Sequence, residues 1–271
     1  WIGTDNYEKL FSRRSYAKMF SASLTYVLIV VPISVALGLG SALLISSLRI
    51  GNELYKAIFF LPVMATLLAM AIVWEFALNP IMGVVNDILR SGCDKRLIYG
   101  FFTGSWYGAD PLQSWYGAAC ADRFPIWLGD KRYALGTIAF IGIWQGFGFN
   151  MVLYLAGLTS VPRELYQAAH MDGADSAWER FKLVTWPMLG PTHVFVITIS
   201  SIRSFQVFDT VEALAEGGPS KSTYVMVYAM FEKGVRQNLL GIGSAITIVF
   251  LAFVLILTLI QVYFVNRRVH Y

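Results

Sequence analysis

An all-α protein that crosses a membrane several times is the fold class this sequence predicts. Three observations carry the prediction. Of its 271 residues, 56% are hydrophobic and only 14% are charged, where a soluble domain carries about 25% charged residues. Mean hydropathy is +0.58. Five stretches free of Asp, Glu, Lys and Arg approach or exceed the roughly 20 residues that a spanning helix needs. Disorder, collagen and a disulfide-dense mini-protein are excluded. A soluble enzyme is disfavoured, because so apolar a chain lacks the polar groups to cover its surface. Net charge is +4, but most basic residues lie between the apolar stretches. That pattern argues against a nucleic-acid partner.

The stretches follow in order. The first, 19–48, lies between Lys18 and Arg49. It is longer than a signal-peptide core, and no small-residue cleavage site follows it. A tight turn at 49–56 leads to 57–74, with Glu75 at its end. The loop 79–132 is long and wet, with five acidic and six basic residues. The third stretch is 133–162. A compact, charged segment with helical patterning, 163–182, precedes the fourth, 183–202, which contains His193 and ends at Arg203. A mixed segment, 209–236, precedes the fifth, 237–266, closed by Arg267 and Arg268. Pro32, Pro62, Gly146 and Gly148 fall inside spans, where neighbours can re-satisfy the freed backbone groups. Five spans place the termini on opposite sides. Lysine and arginine counting does not orient them. The side holding 163–182 has seven basic residues and the other thirteen, six of those in the long loop.

Residues 163–187 read RELYQAAHMDGADSAWERFKLVTWP. Through Tyr166, Ala168, Ala169, Asp172, Gly173, Ala174, Trp178, Phe181 and Pro187, the segment resembles the EAA loop of permease subunits in binding-protein-dependent ABC importers. Further matches resemble the maltose and glycerol-3-phosphate type of sugar permease. They are WIGTDNYEKLF at 1–11, FFLPV at 59–63, WEFALNPIMGVVN at 74–86 and EGGP at 216–219. The resemblance covers nearly the whole chain except 91–129. It implies a single transmembrane permease domain over 1–271, in a bacterial inner membrane. It places 79–132 outside the cytoplasm, with an insertion at about 91–129, and the EAA loop at 163–187 inside. It also implies a first helix upstream of Trp1, hence six spans natively.

The spacing of Leu165, Ala168, Ala169 and Asp172 predicts a short helix, and Gly173 a tight turn. The resemblance implies that this helix-turn-helix docks on an ATP-hydrolysing subunit through Gln167, Ala168, Ala169, Asp172, Gly173 and Ala174. Two departures stand out. Gln167 replaces the family's usual glutamate. The stretch from Gly173 to Pro187 is one residue longer than usual, the addition falling before Trp178. The implied partners are a second permease, two ATP-binding subunits carrying ATP and Mg, an extracytoplasmic solute-binding protein, the carbohydrate and membrane lipid. No cofactor is expected in this chain.

Several motifs are decoys. GGPSKST at 217–223 lacks the glycine a P-loop needs before its lysine. His170, His193 and His270 have no metal spacing, and no nucleophile–base set is visible. No catalytic residue is therefore expected. The long loop repeats a Ser-Trp-Tyr-Gly-Ala motif at 105–109 and 114–118. With Trp127 these rings suit sugar stacking, a grip on a binding protein, or anchoring at the lipid interface. Cys93 and Cys120 are the only cysteines and both fall in the loop placed outside, so a disulfide is expected between them.

The candidate substrate site is centred on Arg203. Ser200, Arg203, Ser204 and Val207 share one helical stripe. Gly142, Gln145, Gly146 and Phe149 repeat the spacing on the preceding span, with Asn150 beside them. In the resembling permeases these two regions line the pathway. Phe149 offers a stacking face, and Gln145 and Ser204 can hydrogen-bond hydroxyls. The guanidinium suits a carboxylate or phosphate. The expected cargo is thus an oligosaccharide, with an anionic one, a uronic-acid oligosaccharide or a phosphorylated polyol, favoured over a neutral sugar. Snorkelling of Arg203 to the outer interface, or pairing with Asp209, is the bland alternative. The rival function is a secondary transporter coupled to an ion gradient, for which Glu75 is the only candidate carboxylate.

Overall fold

The computed structural model describes residues 3–48, 50–86, 88 and 125–266. Among these the chain is helical, without strands: α1 (Asp5–Ser12), α2 (Arg14–Ser47), α3 (Asn52–Met64), α4 (Leu67–Ala77), α5 (Ala134–Thr159), α6 (Arg163–Met171), α7 (Ala177–Arg180), α8 (Trp186–Met188), α9 (Gly190–Phe205), α10 (Asp209–Leu214), α11 (Met226–Phe231) and α12 (Leu240–Asn266). Single π-helical turns at Phe181–Thr185 and Glu232–Arg236 complete it. A π-turn holds one residue more than an α-turn. The turn at Phe181–Thr185 falls within the stretch from Gly173 to Pro187.

Among the described residues, four segments are long and apolar enough to cross a membrane: Ser15–Ser47, Ala134–Thr159, Gly190–Leu214 and Leu240–Ile260. The expected second span is not one straight helix. It is the pair Asn52–Met64 and Leu68–Ala77, bent by 97°. Pro62 stays inside α3; the break falls at Ala65 and Thr66, both extended in ψ. Non-helical backbone at membrane depth persists where protein or water satisfies it. Here the Gln145 side chain donates to the Ala65 carbonyl at 3.4 Å. The fourth span also differs from expectation. Its helix starts at Gly190, and the apolar segment continues past Arg203 to Leu214. Arg203 lies in the last turn of α9, as expected, and the apolar segment resumes after a break at 206–208 as α10.

The core forms where α2 packs along α5 and α9 crosses both. One cluster gathers Met19, Tyr26, Ile138, Phe205, Met226 and Ile246; a second gathers Ala42, Ile45, Met151, Tyr154, Leu189 and Val196. The α2–α5 contact is close at Gly38, where an added Cβ would lie 2.6 Å from Asn150 Cβ and 3.1 Å from its carbonyl carbon. Gly38→Val is accordingly expected to cost about 1–3 kcal/mol through overpacking. A lowered Tm of the purified complex reads it out, and an unchanged Tm would contradict the close approach.

The Met226 amide donates to Ser23 Oγ of the first span at 2.8 Å, holding α11 on α2. Arg236 pairs with Glu212 at 2.5 Å. The expected Cys93–Cys120 disulfide and both Ser-Trp-Tyr-Gly-Ala motifs lie outside the described residues. Trp127, grouped with those exposed rings on sequence, belongs elsewhere. It is half-buried, its indole donates to Asn86 Oδ1 at 2.7 Å, and it meets Tyr133 edge-on. It fastens the end of the loop to the 79–86 turn.

Candidate substrate cavity and coupling segment

A cavity of about 430 Å³ opens between the spans, within the usual range for small-ligand sites. Helices α2, α5 and α9 build most of it, with Val63 of α3, the start of α10 and one break. α5 supplies Gly142, Gln145, Gly146 and Asn150, with the glycines leaving space. α9 supplies Ser200, Arg203 and Ser204, and the chain after it Gln206, Asp209 and Thr210. The break between α3 and α4 supplies Ala65. The third helix, α2, was missed on sequence: Tyr26, Val30 and Ser34 line the wall. Their four-residue spacing puts them on one face. That was the available signal, hidden in a stretch whose length alone had been read.

Asn150 knots the three helices. Ser200 Oγ donates to Asn150 Oδ1 at 2.9 Å, Asn150 Nδ2 donates to Ser34 Oγ at 3.4 Å, and Ser34 Oγ donates to Val31 O at 3.3 Å. All three side chains are buried, and polar groups removed from water need such partners. Asn150 and Ser200 therefore hold the wall in place first and offer polar atoms to the cavity second.

Arg203 is exposed, and it lines the cavity. An arginine facing a water-filled space avoids the cost of insertion into hydrocarbon. Its guanidinium carbon sits 4.3 Å from the Phe149 ring centroid. Phe149 is therefore a platform beneath the cation, not a wall of the cavity as expected; the stacked arginine covers its face. Among the described residues Arg203 forms no salt bridge. Asp209 lines the same cavity without pairing to it. Glu75 is exposed on α4 and outside the cavity.

The segment 163–187 forms a short helix, a turn and a second helical run. The turn is a Schellman C-cap. The Ala174 amide donates to Ala169 O at 2.9 Å, and the Gly173 amide to His170 O at 3.1 Å. Gly173 holds φ +92°, which a β-carbon disfavours. Ser176 and Glu179 cap α7 reciprocally at 3.0 and 3.1 Å. The bond donated by the Ser176 amide, with the Ser176 side chain beside it, holds the Glu179 carboxyl below its ordinary pKa.

Gln167, Ala168, Asp172 and Gly173 are exposed, and Ala169 is half-buried. Ala174 differs from the expectation of a docking contact. It is only 4% exposed, because the cap folds it back against the protein. Leu165, Met171 and Trp178 present apolar surface outward. Inward, Tyr166 Oη lies 3.0 Å from Thr185 Oγ1. Trp186 packs on His193 at 4.4 Å between ring centroids, and His193 Nδ1 is 2.9 Å from Tyr154 Oη. The segment is thereby keyed to α5 and α9, the two helices that line most of the cavity.

The comparisons with known proteins agree with this architecture. The chain is 27% identical over 274 residues to the sn-glycerol-3-phosphate transport system permease protein UgpA of Agrobacterium fabrum, a match covering 100% of this chain and 83% of that one. It is 29% identical over 275 residues to the probable ABC transporter permease protein YesP of Bacillus subtilis, covering 100% and 79%. Its fold resembles a chain of a bacterial ABC transporter involved in the import of the acidic polysaccharide alginate. The TM-score there is 0.80 at 22% identity, over 98% of this chain and 84% of that chain. The family model described as "binding-protein-dependent transport system inner membrane component" matches residues 9–270. That assignment leaves an ion-coupled secondary transporter without support, and the chain belongs to this family of inner-membrane transport components.

Proposed function

We propose that this chain is one translocation subunit of an ATP-driven importer for an anionic carbohydrate, a uronic-acid oligosaccharide or a phosphorylated polyol. One observation carries the reading: a guanidinium facing a cavity between the spans, braced on Phe149 and free of carboxylate partners among the described residues. Its fork matches a carboxylate or phosphate. Around it, Gln145, Ser204 and Asp209 suit hydroxyl groups. The relatives named for sn-glycerol-3-phosphate and the fold neighbour described for alginate both concern anionic cargo. A solute-binding protein delivers the cargo to the segments 79–132 and 209–236, and a second permease completes the pathway.

ATP hydrolysis belongs to two partner subunits, one seating on α6 and the other on the corresponding loop of the second permease. In this chain the exposed Gln167, Ala168 and Asp172, with Leu165 and Met171, supply the docking face. Gln167→Glu is expected to be tolerated, with uptake within about twofold of wild type, because it restores the glutamate usual at this position in the resembling family. Normal ATPase recruitment by a variant with the exposed face of α6 disrupted would count against docking there.

The decisive experiment is to purify the whole complex and present it with its binding protein loaded with a uronate oligosaccharide, a phosphorylated polyol or a matched neutral sugar. Stimulated ATP hydrolysis with an anionic ligand supports the proposal. Stimulation by the neutral sugar alone refutes it.

A further inference from the structure

A second cavity, of about 550 Å³, lies between the α2–α3 turn and the start of α6. Its chemistry is divided. Ile45, Leu155, Leu158 and Val161 give it an apolar side. Asn52, Lys56, Arg163 and Tyr166 belong to its polar side. Lys56 pairs with Glu53 at 2.9 Å, but the Glu53 side chain is 89% exposed, so water screens that pair. Arg163 has no ion-pair partner among the described residues. Asn52 Oδ1 is buried without a hydrogen-bond partner, an acceptor left waiting for a donor. The substrate cavity is a separate space, lined by other residues.

Two cations beside an apolar wall, at the end of spanning helices, match a molecule with a phosphate on a hydrocarbon tail. Basic pockets between spans on the cytoplasmic side are suited to such headgroups. We infer that this cavity binds an anionic glycerophospholipid of the cytoplasmic leaflet. The phosphate lies between Lys56 and Arg163, a headgroup hydroxyl donates to Asn52 Oδ1, and an acyl chain runs along Ile45, Leu155 and Leu158. Tyr166 ties the site to the coupling segment, because its hydroxyl also meets Thr185. Occupancy therefore braces α6 against α2 and α3. This placement puts the 163–187 segment on the cytoplasmic face, but it does not depend on which cargo crosses the membrane.

The test uses the whole complex in nanodiscs of phosphatidylcholine doped with phosphatidylglycerol. Native mass spectrometry counts the phosphatidylglycerol that stays bound after extraction. The wild type is expected to retain it. Lys56→Gln with Arg163→Gln is expected to weaken retention about tenfold or more, while Lys182→Gln, an exposed charge on the same face, leaves it unchanged. Arg163→Lys keeps the charge and is expected to keep the lipid, separating loss of charge from loss of fold. Equal retention by the double variant, or an equal drop with Lys182→Gln, overturns the site. Displacement by inorganic phosphate with the affinity of the lipid overturns the lipid assignment, because the apolar wall would then contribute nothing.

Discussion

Arg203→Leu is expected to lower uptake of the native substrate about ten- to a hundredfold while assembly and basal ATP hydrolysis stay normal. Hydrogen bonds to a charged group are worth about 1.5–3 kcal/mol, and each 1.4 kcal/mol is a factor of ten in binding. Arg203 is exposed to the cavity and carries no ion pair among the described residues, so its removal leaves no buried counter-charge stranded. What the fold loses is the stack on Phe149, an increment of about 0.5–2 kcal/mol for a cation–π contact. Arg203→Lys retains the charge but not the fork, so it is expected to keep part of the activity. Transport of a neutral analogue should change little in either variant. Normal uptake by Arg203→Leu, or a native cargo that proves uncharged, removes the case for an anionic substrate. Phe149→Leu offers an independent check. It leaves the cavity wall intact yet frees the guanidinium to swing, so uptake should fall by less than with Arg203→Leu.

How much of this was legible in the sequence depends on the kind of signal. Long apolar runs report spans directly, because lipid leaves the backbone no partner but itself. Four of the five expected stretches are spanning segments, with shifted ends. The break at Ala65 and Thr66 was not legible. Pro62 marks the neighbourhood, but the stop is fixed by a donor 80 positions away, Gln145. The α9 stripe was found through Arg203, since a charge in an apolar run is conspicuous. The α2 wall was not, because Tyr26 and Ser34 are unremarkable until Asn150 reaches across to Ser34. Phe149 shows the limit of spacing arguments. Helical phase put it on the correct side of α5, but only the folded position of Arg203 determines that its face is covered. Ala174 makes the same point, because its direction is set by a cap involving Ala169 and Gly173 together.

Gly173→Val is expected to uncouple ATP hydrolysis from uptake, reducing transport at least about tenfold with the spans still inserted. No heavy atom lies within 4 Å of a Cβ built at Gly173, so crowding is not the reason. The reason is the backbone. At φ +92° an L-residue pays about 1–2 kcal/mol, and a β-branched one more. Relaxing that strain opens the cap, releasing the Ala174 amide from Ala169 and the Gly173 amide from His170. The helix α6 then loses its fixed angle to α7, and the surface bearing Gln167 and Asp172 turns away from its docking pose. The spans should be spared, since the tie from Trp186 through His193 to Tyr154 lies beyond the turn. Gly173→Asn, which tolerates the left-handed region better than valine, is expected to fall between wild type and Gly173→Val. The measurement pairs uptake into right-side-out or reconstituted vesicles with ATP hydrolysis by the same complex. Full transport by Gly173→Val at normal expression would separate this turn from coupling altogether.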